Sequence, residues 1–253
     1  RAFWEAGITC DIIDLKADLS RYKMVVAPFA YMLPEAFANE VRALVERGGT
    51  FVTGVWSGIV DETDLAYRTG RPGPLRDVLG IWVEETDALY PSERCLVLPV
   101  DSATTDDNVD NPVYATRLLD LMHLEGAEAL WVYGEDFYAG TPAVTKHHYG
   151  EGRAYYLGFN TDDDFFLDFY AKLLQDTDLT RNWPTELPLG VSCTRRSHPG
   201  SDYLFLLNFN DHEVQFSNPQ VVYDLLREET LTVDATITMP PYSYRVLRRN
   251  EDH

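Results

Sequence analysis

The chain has 253 residues, 45% hydrophobic and 25% charged, which is enough for one large domain or two ordinary ones, each with a real core. It carries 41 acidic against 21 basic residues, a formal charge of −20 at pH 7. That balance excludes a nucleic-acid backbone or an anionic membrane surface as partner, because either would be repelled over a Debye length or more.

Arg1-Ala2-Phe3-Trp4 reads as the interior of a helix, so the chain is expected to begin inside a structural element. Ile8 to Leu15 is predicted as a short strand ending in acidic turn residues. Tyr22 to Pro28 is a nearly continuous apolar run, as for a strand buried on both faces. Pro34 can open a helix, because its missing N–H costs nothing in the first turn. Phe37, Val41, Leu44 and Val45 follow at helical spacing, and Gly48-Gly49 ends the pattern. Thr50 to Val55 is a second buried strand. Strand, helix and strand with short joints predict parallel strands and a right-handed crossover.

A long polar loop from Asp61 to Pro74 follows, of the kind that is functional or makes an interface. Trp82 to Leu89, Arg94 to Leu98 and Leu130 to Tyr133 are predicted strands. Asn111-Pro112 is predicted to open a second helix, with Leu118, Leu121 and Met122 on one side. A hairpin through Thr145 to Phe159 turns at Gly150-Glu151-Gly152. Thr161 or Asp162 is expected to cap a third helix whose apolar face is Phe165, Phe166, Phe169 and Leu173. From about Arg181 the character changes. Pro184 and Pro188 punctuate a linker, and Tyr203 to Phe209, Val214 to Phe216, Leu231 to Val233 and Tyr244 to Val246 read as short strands of a small antiparallel domain. No apolar run approaches the roughly 18 residues that span a bilayer, and no signal peptide is visible.

Residue patterns that could carry chemistry fall short. Ser57 follows a buried strand in Gly54-Val55-Trp56-Ser57-Gly58, but a nucleophile elbow needs glycine two residues to either side, where Val55 and Ile59 stand. His147 and His148 on one strand point to opposite faces, so they are expected to be one packed and one solvated histidine rather than two ligands of one metal. Asp162-Asp163-Asp164 lacks calcium-loop spacing and suits a helix start. The adjacent carboxylates Glu84-Glu85 and Glu228-Glu229 diverge on their strands and do not converge on one bond as a glycosidase requires. Cys10, Cys95 and Cys193 form no Cys-x-x-Cys pair. Cys10 and Cys95 are expected to pack as small hydrophobes in strand-like runs, and the unpaired spacing fits a reducing, cytoplasmic setting.

Several stretches in order resemble the region that follows the catalytic barrel in glycoside hydrolase family 42 β-galactosidases. They are Asp18 to Pro28 with Tyr31-Met32; Gly48 to Val52 running on to Ser57 to Glu62; Gly73 to Arg76 with Leu79 to Ile81; Phe137 to Ala143; and Gly150 to Tyr156. Phe205 to Phe209 and Met239 to Tyr242 are similar to the small β domain that closes these enzymes. The resemblance implies an α/β flavodoxin-like (glutamine amidotransferase-like) parallel-sheet domain at residues 1–182 that serves trimer assembly. A small all-β antiparallel domain at 186–253 would follow it.

The resemblance further implies that a strand and most of a helix precede Arg1, and that the barrel with its two catalytic glutamates lies upstream in the same polypeptide. This chain would then carry no catalytic, cofactor-binding or metal residue, need no cofactor and act within a homotrimer of a retaining β-galactosidase. Loops at the carboxyl ends of the strands, the edge that open α/β sheets use for ligands, are expected to make the subunit contact through Tyr31, Trp56, Ser57, Ile59, Asp61 and Glu62. Two rivals have other functions: a self-standing amidotransferase-like or esterase-like hydrolase using Ser57, and a carbohydrate-binding module at 186–253 using Tyr203, Tyr223, Tyr242 and Tyr244.

Overall fold

The computed structural model describes residues 1–100, 112–177 and 179–250. They form two compact units. One is Ile13–Asp162; the other joins Arg1–Ile12 to the chain from Asp163 onward.

The short helix α1 (Ala2–Glu5) belongs to the second unit. The first unit contains β1 (Met24–Ala27), α2 (Glu35–Glu46), β2 (Thr50–Gly54), α3 (Arg76–Leu79), β3 (Ile81–Ala88) and β4 (Cys95–Pro99). β5 (Val113–Leu124), β6 (Glu128–Tyr133), β7 (Pro142–Tyr149), β8 (Gly152–Leu157) and β9 (Phe159–Asn160) complete it. Its sheet runs β1-β2-β8-β7-β6-β4-β5-β3, with β9 paired to β5.

The sheet is mixed, not parallel throughout as expected. β1, β2 and β8 are parallel, with Val26 opposite Val52 and Val52 opposite Tyr155. The other pairings between these named strands are antiparallel. Connection length contributes: β1 and β2 are joined by a full helix, as a parallel crossover requires, whereas β7 turns directly into β8 at Gly150-Glu151 and so runs antiparallel to it.

α2 forms as its spacing predicts. Phe37, Ala38, Val41, Leu44 and Val45 are buried. The helix closes where Gly48 N donates to Val45 O (3.0 Å) and Gly49 N to Leu44 O (2.9 Å), Gly48 standing at φ +98°. These side chains share one core with Leu33, Phe51, Leu75, Leu79, Ile81 and Tyr156. β2 is buried almost throughout, but β1 buries only Val25, because it is the edge strand of this sheet.

Two sequence expectations fail here. The segment after Pro112 is the 12-residue strand β5, not a helix; Asn111 lies outside the described residues. Arg117 at φ +62° interrupts it, and pairing with β9 slips between Thr116 and Leu119. The bulge breaks strict alternation and buries Ala115, Leu119, Asp120 and Met122 at intervals that imitate a helix. The segment Ile8 to Leu15 forms no strand. It has no ladder partner among the described residues, so Ile12 is fully exposed and Cys10 is exposed rather than packed.

In the second unit, α1 meets α4 (Asp163–Gln175), with Phe3 and Tyr170 rings 5.0 Å apart and Arg1 3.5 Å from Asp163. α4 buries Phe165, Tyr170 and Leu173 and leaves Phe166 and Phe169 half-buried. Thr161 Oγ1 has no hydrogen-bond partner, so it is not the cap.

The strands that follow are β10 (Val191–His198), β11 (Ser201–Asn208), β12 (Val214–Ser217), β13 (Val222–Asp224), β14 (Glu229–Leu231), β15 (Thr236–Met239) and β16 (Tyr244–Asn250). They make a five-stranded sheet, β10-β11-β16-β13-β14, and a two-stranded one, β12-β15, antiparallel as expected. Trp183, Cys193, Leu204, Leu206, Ile237, Met239 and Leu247 fill the core.

Candidate functional site

β1 and β2 lie side by side and parallel, so the loops after them leave the same edge of the sheet. Main-chain bonds zip the two loops together: Gly58 N to Ala30 O (2.8 Å), Ile59 N to Tyr31 O (3.0 Å) and Leu33 N to Val60 O (3.0 Å). The polar stretch beyond folds back on them. Tyr67 N donates to Ile59 O (3.2 Å) and Tyr67 Oη to Leu33 O (2.5 Å). Asp61 Oδ1 accepts from Thr63 Oγ1 (2.7 Å), Thr63 N (2.8 Å) and Leu65 N (3.1 Å), and these bonds hold its carboxyl below the usual range. The Asp61–Pro74 loop is therefore an ordered element.

These loops display an apolar surface. Phe29, Tyr31, Met32, Trp56 and Leu65 are all exposed, and the Tyr31 and Trp56 rings lie 6.1 Å apart. Of the residues singled out from sequence, Tyr31, Trp56 and Glu62 are exposed and Ile59 and Asp61 half-buried. Ser57 is different. It is 1% exposed, its Oγ accepting from Ala30 N (3.0 Å) and lying 2.8 Å from Thr53 Oγ1. No histidine or carboxylate hydrogen-bonds it among the described residues. It ties two strand ends together and, so buried, has no base beside it among the described residues to make it a nucleophile.

Beneath Trp56 lies a buried carboxylate that sequence reasoning missed. Asp120 is fully buried on β5. Its Oδ2 accepts from Trp56 N (3.1 Å) and Tyr156 Oη (2.6 Å), and its Oδ1 from Thr86 Oγ1 (2.5 Å). Arg71 Nη1, 3.5 Å from Oδ1, supplies the counter-charge and also donates to Thr86 Oγ1. Burial and the Asp120 carboxylate push the Tyr156 phenol well above its ordinary value, so it stays a neutral donor. The available signal was a lone acid inside the apolar run Leu118-Leu119-Asp120-Leu121-Met122: a carboxylate in a strand core requires a partner.

The remaining candidates are dispersed. His147 Nδ1 lies 2.8 Å from Val78 O while His148 is exposed, the packed and solvated pair expected. Glu84 pairs with His123 at 2.6 Å, and Glu229 lies 3.8 Å from Arg245. Asp163 faces Arg1. Tyr242 and Tyr244 are exposed, and Tyr223 is half-buried beneath Arg248. Among the described residues no three His, Cys, Asp or Glu side chains converge as a metal site would require.

The described residues thus form a mixed sheet with an apolar loop surface and a small antiparallel domain. Residues 1–180 match the family description "Beta-galactosidase trimerisation domain" and residues 190–249 "Beta-galactosidase C-terminal domain". Beta-galactosidase BglY of Alicyclobacillus acidocaldarius is 41% identical over 98% of this chain and 36% of its own length. Beta-galactosidase Pbg of Clostridium perfringens is 38% identical over 98% and 36%. Among solved structures, the β-galactosidase of Rahnella sp. R3 superposes with a TM-score of 0.85 at 40% identity, over 99% of this chain and 36% of that one. That of Bacillus circulans sp. alkalophilus gives 0.88 at 36%, over 98% and 36%.

The chain belongs to the glycoside hydrolase family 42 β-galactosidases, as their trimerisation and C-terminal regions. It spans about 36% of the length of the curated relatives it matches. The described strands form open sheets and no catalytic barrel. No described helix is long and apolar enough to cross a membrane.

Proposed function

We propose that this region assembles a retaining β-galactosidase into a homotrimer, the parent enzyme removing terminal non-reducing β-D-galactose with a barrel upstream in the same polypeptide. The observation that carries the reading is the exposed cluster of Phe29, Tyr31, Met32, Trp56 and Leu65 in a domain whose family is named for trimerisation. Aromatic and methionine side chains that gain most from leaving water are enriched at such contacts. The occupant is a second copy of the chain, in a head-to-tail contact that closes after three subunits. Tyr31, Trp56, Ile59, Asp61 and Glu62 contribute the contact surface, and Ser57 acts beneath it.

We further assign the domains as residues 1–182 and 186–253, supported by the change of family description between residues 180 and 190. The β1–α2–β2 crossover with β8 supports a flavodoxin-like origin for the first. Three unpaired cysteines support a cytoplasmic setting. The reading is tested by assaying this chain and the full-length protein on nitrophenyl β-galactoside. Turnover is expected from the full-length protein alone; turnover by this chain, abolished in Ser57→Ala, would overturn it.

A further inference from the structure

Trp56 is a large, exposed aromatic in an unusual main-chain state. Its φ is +65°, a region in which a bulky L-residue is strained unless its surroundings hold it there. What holds it is visible. The Trp56 amide points inward and donates to Asp120 Oδ2, so the side chain is turned outward beside Tyr31. Asp120 is itself fixed from three further sides by Tyr156, Thr86 and Arg71, which come from β8, from β3 and from the loop that packs on Gly58. Among the described residues the Trp56 amide is the main-chain group that donates to this carboxylate, and the other partners fix the carboxylate's place.

We infer that Asp120 is the positioning residue of the assembly surface: it never touches the neighbouring subunit, but it sets the left-handed turn that presents Trp56. This rests on the assembly reading above and adds the element that pre-organises it. Binding to a pre-set surface avoids the ordering cost that a mobile Trp56 would incur on association.

A double-mutant cycle in the full-length protein tests it. Asp120→Asn, Trp56→Ala and the combination are compared for trimer dissociation by sedimentation velocity, and hydrogen exchange of the Trp56 amide is followed in the Asp120→Asn variant. Each single change is expected to raise the dissociation constant by about tenfold or more. The combination should be no worse than the weaker single variant within about threefold, and the Trp56 amide should exchange faster.

Multiplying effects, or an Asp120→Asn variant that assembles normally, would overturn the inference while leaving the surface assignment intact. A silent Trp56→Ala would remove the surface assignment and the inference with it. If Asp120→Asn does not fold, Tyr156→Phe withdraws one donor and leaves the Arg71 contacts in place, and Thr86→Val withdraws another together with the hydroxyl to which Arg71 donates. Either should weaken assembly in the Trp56 background of the natural protein but not in Trp56→Ala, and equal weakening in both backgrounds would contradict the proposal.

Discussion

At Gly58 the chain runs at φ +65°, and a Cβ there would stand 2.2 Å from the Pro72 carbonyl oxygen. Both the left-handed conformation and the close approach demand glycine. Gly58→Ala is therefore expected to lose about 2 kcal/mol or more, since left-handed strain alone costs about 1–3 kcal/mol, as measured by urea unfolding. Unchanged stability would contradict the described packing of the loop.

Asp61, three residues on, gives a pH prediction. Its folded carboxyl is held down by the Thr63 hydroxyl and by the Thr63 and Leu65 amides. A lowered folded pKa contributes stability that is complete above the unfolded value of about 3.9 and lost as pH falls through the folded value. Carbon-detected NMR should find Asp61 titrating below about 3.9, and Asp61→Asn should flatten the acid limb of the stability curve in that window. A titration at or above the ordinary value would refute the assignment.

The places of Tyr31, Trp56 and Asp61 on the loops after β1 and β2 could be read from sequence, because buried apolar runs and turn-forming acids mark the strand ends. The depth of Ser57 could not, because a strand-end serine looks the same whether its hydroxyl meets water or two buried main chains.

Among elements, β13 and β16 are tied by a buried ion pair: Arg245 Nη1 lies 3.1 Å from Asp224 Oδ2, with side chains 5% and 0% exposed. Arg245 Nη2 also donates to Thr238 O (3.0 Å), linking the five-stranded sheet to β15. Arg245→Ala would leave Asp224 buried without its main counter-charge, a loss of about 3–5 kcal/mol. Equilibrium unfolding followed through the β domain should show it, and a loss under about 1 kcal/mol would mean that water or Glu229 replaces the contact.

What could be read at this scale followed physical distinctness. α2, β2 and the β7–β8 hairpin each combine one clear period with glycine punctuation, and each formed where predicted. β5 was misread because the bulge at Arg117 removed the alternation that marks a strand. Strands β13 and β15 were missed because three or four residues carry too little pattern. Ile8–Leu15 had strand-like composition, but a strand exists only with a partner, which composition does not supply.

For the whole molecule, the mixed topology has a consequence for assembly. The parallel strands β1 and β2 are adjacent, so the loops after them leave one edge of the sheet and are bonded into one surface, while β7 and β8 turn through a tight hairpin. The −20 charge must be accommodated in any association of identical chains. An apolar contact satisfies this, because it buries aromatic surface and leaves the repelling charges in solvent. Charge and composition argue against nucleic-acid and membrane partners but carry no hint of trimer assembly, an expectation that rests on family resemblance alone.

The most direct measurement is multi-angle light scattering of the full-length protein at micromolar concentration, alongside its Tyr31→Ala/Trp56→Ala variant. The account predicts three subunit masses for the natural protein and a shift toward one for the variant, with the folded circular-dichroism spectrum retained. A natural protein that scatters as a monomer, or a variant that remains fully trimeric, would contradict it.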